Sequence, residues 1–214
     1  MKQKRRDFLK NAAGGASILA IAGTTACATT VDTKQDDPYG DLSSLSDNIK
    51  PITNDERRDR INKAQRLMAE NKIEAIYLEA GSSLFYFTGI RWGNSERMMA
   101  AVIPQKGDIS YICPAFEEDR LRELIRFGND VKVWEEHESP FKLVANIFAE
   151  NGIRSGNIGM EERVRFFLFD GIRKEAPRLN FVSANPITQG CRVFKTPSEI
   201  ALMQTAMDIT LASY

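Results

Sequence analysis

Short apolar runs alternate with capped amphipathic segments from Thr53 to the end of this chain, and that alternation constrains its fold more than any other feature. "IEAIYLEA" (73–80), "RMMAAVIP" (97–104), "ISYICP" (109–114), "VKVWEE" (131–136), "NIGME" (157–161) and "LNFVSA" (179–184) each read as a strand. Between them lie helical patterns. Thr53 and Glu56 form a capping box, and Ile61, Ala64, Leu67 and Met68 make the apolar stripe of a helix running to about Asn71. "EEDRLRELIRF" (117–127) is a helix stopping at Gly128. "SPFKLVANIFAENG" (139–152) is a helix with Ser139 as cap and Gly152 as stop. "RFFLFDGIRKEA" (165–176) is a helix ended by Pro177. "SSLFYFTGI" (82–90) is aromatic and punctuated by Gly89, and "NPITQGCRVF" (185–194) is a turn or short helix. Strands alternating with helices give an α/β layer fold, and the hairpin across "QKGD" makes the sheet mixed.

The chain closes on a helix. Thr196 caps it, Pro197 fits its first turn, Glu199 reaches back to the cap, and Ile200, Met203, Ala206, Met207 and Leu211 recur near one face. An apolar helix face wants cover.

The beginning has a different character. "KRRDFLK" followed by "NAAGGASILAIAGTTACA" has a basic start, a weakly apolar middle and small residues at its exit, which reads as an export signal. Arg5 and Arg6 with Asp7, Phe8, Leu9 and Lys10 resemble the twin-arginine motif. Two processing readings stand side by side. Ala26-Cys27-Ala28 fits cleavage after Ala28, giving a periplasmic protein. Thr24 to Cys27 resembles a lipobox, with Cys27 lipidated and the protein tethered to a membrane surface. Residues 1–28 are thus the signal. Residues 29–52, rich in Thr, Asp and Ser, are a linker, 53–195 a domain, and 196–214 the opening of something further.

Charge and chemistry exclude several classes. The formal net charge is zero, but residues 1–26 hold five basic groups against one acidic, so the remainder carries −4. That is no footprint for nucleic acid. The sole histidine, His137, sits in the polar stretch "EEHES" with Glu135, Glu136 and Glu138, and no second histidine or paired cysteine motif supports a metal centre there. No nucleophile elbow, Walker loop or dinucleotide fingerprint occurs. Cys113 and Cys191 lie in apolar patterns and read as buried, reduced thiols.

Segment order adds a resemblance. "YLEAGSSLFYFTGI", then Arg97, "AAVIPQKGDISYICPAFEEDRL", "NIGME" and "CRVFKTPSEIALMQTAMDI" are together similar to the N-terminal domain of the creatinase, prolidase and aminopeptidase P family, from about Asp55 to Tyr214. Ser82 or Ser83 stands where the family often has Asn. The resemblance implies ribonuclease H-like layering. It implies that the helix after "KTPSE" is the first of a catalytic domain absent from this sequence, whose Asp, His and Glu residues hold two divalent metals (Mn, Co or Zn). It implies a homo-oligomer in which this domain covers an active site for short proline-containing peptides, with Tyr86, Arg91, Trp92 and Arg97 facing substrate. On that reading the chain is a non-catalytic, inactive part of an exported Xaa-Pro peptidase-like hydrolase. The alternative is an exported binding or oligomerisation module without enzymatic activity. For Arg97, an ion pair with Glu96 or Glu79 is the competing role, and for Tyr86 a place in the core.

Overall fold

β1 (Ile73–Glu79) is the spine of the molecule in this computed structural model, which describes Asp47 and residues 49–213. Six of its seven residues are buried, so both faces of the strand are covered, as a continuous apolar run requires of a central strand. The six-stranded sheet has the order β4-β3-β2-β1-β5-β6, with β2 at Ala100–Pro104, β3 at Ser110–Pro114, β4 at Asp130–Trp134, β5 at Gly156–Met160 and β6 at Leu179–Ser183. β1, β5 and β6 run parallel, as do β3 and β4, while β2 is antiparallel to both of its neighbours. The sheet is therefore mixed, with the hairpin at β2–β3. Arg5, Arg6, Cys27 and Ala28, read above as an export signal, lie outside the described residues.

Helices cover both faces. α1 (Asn54–Glu70) carries the full capping box: Glu56 N–H donates to Thr53 Oγ1 at 3.2 Å, and Thr53 N–H donates to the Glu56 carboxylate at 2.7 Å. Its stripe places Ala64 and Met68 in the core, with Ile61 and Leu67 packed at its edge. One core layer thus joins Ile76, Leu78, Ile103 and Tyr111 to α1, to α2 (Ser82–Thr88) through Leu84 and Phe87, and to α6 (Asn185–Arg192) through Ile187 and Cys191. The other joins Tyr77, Val102, Ile112 and Ile158 to α4 (Pro140–Glu150) through Val144, Ile147 and Phe148, and to α5 (Phe166–Glu175) through Leu168 and Ile172. Each such aliphatic side chain contributes roughly 1.5–3 kcal/mol on burial. Close approach sets one residue: a Cβ at Gly159 of β5 would stand 3.0 Å from Ile76 and 3.3 Å from the Ala184 backbone at the start of α6.

Two elements depart from the sequence expectation, and two that it left open are settled by the structure. The aromatic run 82–88 is a helix, ended by Gly89 in the left-handed region. Residues 185–192 take the helical one of the two forms expected of them. α3 (Glu118–Leu124) stops before Gly128, because Ile125 turns extended and thereby sends Ile125 and Phe127 back to the core. β2 begins at Ala100 rather than Arg97, with Met98 and Met99 buried just ahead of it. Cys113 and Cys191 are both buried and free.

α7 (Pro197–Ala212) follows its own capping box, in which Glu199 N–H donates to Thr196 Oγ1 at 3.2 Å and Thr196 N–H to the Glu199 carboxylate at 2.9 Å. None of its residues is buried. Ile200, Met203, Met207 and Leu211 are all exposed. At 100° per residue, Leu202 and Ile209 fall on a second side, so the apolar surface wraps farther round than one stripe. Among the described residues no helix is long and apolar enough to cross a membrane.

Candidate functional site

The aromatic turn-and-helix after β1 meets the root of α7, and that junction is where unusual side chains collect. α2 is seven residues long and closes at Gly89 with φ +79°, a conformation that favours glycine. A Cβ there would also lie 2.7 Å from Arg57 Nε. The closure presents Phe85 and Tyr86 on the outer side of the helix, while Leu84 and Phe87 point into the core.

Tyr86 is half-buried and held on several sides. Its hydroxyl donates to the Cys191 carbonyl at 3.1 Å, and its ring lies edge-on to Phe87. The Arg60 guanidinium sits 4.0 Å from the ring centroid, and that of Arg192 sits 5.9 Å away. Burial pushes its pKa up to about 12, so the phenol is a donor at neutral pH. Arg60 also donates to the Tyr86 carbonyl at 2.7 Å and to Glu199 Oε1 at 2.7 Å. Side-chain exposures of 10% and 12% make the Arg60–Glu199 pair well shielded, and Glu199 at once caps α7 and ties it to α1. This link, 139 residues apart in sequence, has no local signal.

The other three candidates have their own partners. Arg91 is exposed with its guanidinium 4.9 Å from the Phe85 ring centroid. Trp92 is half-buried, packed on the core edge and stacked by Arg120 at 4.4 Å. Arg97 pairs with Glu96 and, at 2.6 Å, with Glu136, and lies 5.3 Å from the ring centroid of exposed Phe116. Arg91 therefore joins the aromatic face of α2, whereas Trp92 and Arg97 engage residues of other segments. Glu79, the other partner considered for Arg97, is held by Arg165, whose backbone N–H and Nε donate to it at 3.0 and 2.5 Å.

Two cavities flank Tyr86 and share Tyr86, Arg192 and Leu202. One, of about 460 Å3, includes Lys195, Glu199 and Met203. The other, of about 450 Å3, includes Arg57, Arg60 and Phe85. Elsewhere Glu161 is buried and accepts from Ser83 Oγ at 2.8 Å; burial raises its pKa, and the Ser83 bond opposes that rise. Burial pushes the thiols of Cys113 and Cys191 up to about 12 and about 11, so both stay protonated and poorly nucleophilic at neutral pH. His137 and its neighbouring glutamates are exposed. Among the described residues no group of three or more His, Cys, Asp or Glu is placed to hold a metal ion. The chemistry offered at this junction is recognition by guanidinium and aromatic groups.

Residues 60–194 match the creatinase/prolidase N-terminal domain family. An uncharacterised peptidase of Schizosaccharomyces pombe is 26% identical over 178 residues, covering 76% of this chain and 38% of that protein. A prolidase from Thermococcus sibiricus shares the fold with a TM-score of 0.63 at 22% identity, over 71% of this chain and 40% of that one. The N-terminal domain of an Xaa-Pro dipeptidase from Lactobacillus brevis, solved by itself, aligns over 63% of this chain and 99% of its own length, with a TM-score of 0.56 at 18% identity. The chain thus spans about two-fifths of the first two proteins and nearly all of an isolated N-terminal domain. It belongs to the creatinase/prolidase N-terminal domain family.

Proposed function

We propose that this chain is the leading, non-catalytic part of an exported Xaa-Pro peptidase-like metallohydrolase, and that α7 opens the catalytic domain. One observation carries the reading: beyond the matched residues stands a fully capped helix whose apolar side chains are exposed. An apolar surface of that kind is a liability unless something covers it. The peptidase and prolidase names of the relatives agree with a peptide substrate. On this reading the two divalent metals (Mn, Co or Zn) and the acid–base groups belong to the domain that covers α7.

The role of these 214 residues is then to cover that active site and to mediate homo-oligomer contacts, with Tyr86 and Arg91 facing short proline-containing peptides and Trp92 and Arg97 at the margin. Export by the twin-arginine route through Arg5 and Arg6, ending in cleavage after Ala28 or lipidation at Cys27, completes the reading. The test is hydrolysis of Xaa-Pro dipeptides in the presence of Mn, Co or Zn. The native protein is expected to be active and chelator-sensitive, and this chain by itself inert and without stoichiometric metal. Turnover or tight two-metal binding by the isolated chain would overturn the assignment.

A further inference from the structure

The two edges of the sheet are finished differently. β4 carries Asp130 and Lys132, and Lys132 bridges Asp130 at 3.3 Å and Glu150 at 3.0 Å. Charges on an edge strand oppose pairing with another chain. β6 reads "LNFVS" and has neither a charge nor a proline. Two contacts fix its hydrogen-bonding alternation. Ala184 N–H donates to the Met160 carbonyl at 2.9 Å, while Glu161 N–H turns the other way, to the Tyr77 carbonyl at 3.2 Å. Counting back by twos, Val182 and Asn180 face β5, so the N–H and C=O groups of Phe181 and Ser183 face outward. Among the described residues no strand lies on that side of β6. Beside the open edge runs an aromatic row. The Phe169 ring is edge-on to Phe181 at 5.9 Å, and Phe166, 75% exposed, lies 6.4 Å from Phe169.

An uncharged edge can oppose a reversed copy of itself. With a twofold axis at Phe181, that residue exchanges both backbone bonds with Phe181 of a second copy, and Ser183 N–H donates to the Leu179 carbonyl of that copy. The two Phe181 rings become a cross-strand aromatic pair. An axis normal to the sheet keeps α5 of both copies on one face, so the two aromatic rows meet. Charge agrees at each end of the pairing. Arg178 falls opposite Ala184 of the second copy, whose β5 neighbour is Glu161, with Glu162 one residue on. Arg178 and Glu162 are exposed, and neither forms an ion pair among the described residues. We infer that the chain forms a homodimer by antiparallel pairing of β6 with β6 of a second copy, making one continuous sheet. The inference rests on the homo-oligomer part of the proposed function and gives it a surface.

Sedimentation of the purified chain over a concentration series tests it, with amide exchange as a second readout. A reversible dimer is expected, with the Phe181 and Ser183 amides slow to exchange when it forms and fast on dilution. Ser183→Lys, at an exposed position, should weaken the dimer at least about tenfold. Arg178→Glu and Glu162→Arg should each weaken it about fivefold, because symmetry repeats the surface pair, and the two together should restore it. Ile200→Glu with Met207→Glu, on exposed α7, should leave it intact. A chain that stays monomeric up to millimolar concentration, or a double charge reversal that restores nothing, would overturn the inference. A dimer that survives Ser183→Lys but is lost on the α7 substitutions would overturn the β6 pairing while leaving the homo-oligomer reading in place.

Discussion

β1 and α7 are both rich in apolar residues, and the chain treats them in opposite ways. Six of seven residues of β1 are buried, and none of the sixteen of α7 is. β1 obtains cover from two helical layers and from strands on either side, all within the matched residues. Among the described residues, α7 is tied at its root by the Arg60–Glu199 pair and a Glu56–Ser198 side-chain hydrogen bond, and Leu202 is partly covered. Yet α7 is well formed, because a capping box and an N1 proline are local devices that need no tertiary partner. Local signals decide that a helix exists, and long-range packing decides whether its apolar surface is satisfied.

Leu78→Ala breaks the comparison on its strong side. This core residue is fully buried, and its truncation should cost about 2–5 kcal/mol in urea unfolding, enough to threaten the fold. Next comes the joint between the regions. Glu199→Gln replaces charge-assisted bonds with neutral ones, and a loss of about 1–3 kcal/mol is expected. It should show in hydrogen exchange as faster amides in α7 with those of β1 and β5 unchanged; equal acceleration in both would mean that α7 is part of the domain core.

A pH profile sharpens the contrast from inside the domain. Burial raises the folded pKa of Glu161, so the folded state holds that proton more tightly than the unfolded chain. Its contribution is complete below the unfolded carboxylate range near about 4.3 and is lost as pH rises through the raised folded value. Glu161→Gln should therefore flatten the fall in stability on the alkaline side of that range, read as unfolding midpoint against pH. An unchanged profile would place the pH dependence elsewhere. The smallest effect belongs to α7. Met207→Ala in this chain should change stability by less than about 0.5 kcal/mol. In a protein where α7 is covered, the same truncation should cost about 2–5 kcal/mol.

Much of the domain was legible in the residues. The caps at Thr53, Ser139 and Thr196, the six strands and the β2–β3 hairpin follow from periodicity and turn chemistry that act over a few residues. α2 was not legible, because "SSLFYFT" carries aromatic residues suited to a strand and becomes helical where packing of Leu84 and Phe87 overrides propensity. The candidate site was legible only in part. Tyr86 and Arg91 lie on one aromatic face, but Arg57, Arg60, Arg192 and Glu199 are brought there by elements far apart in sequence, and single residues on amphipathic helices give no sign of such meetings.

The central claim is that α7 is half of an interface completed by a following domain. An immunoblot of the source cells with an antibody against residues 53–195 tests it most directly. The expected band lies well above the 24.1 kDa of this chain. A band at or just below 24.1 kDa would contradict the claim and turn the search toward a separate partner for the exposed helix.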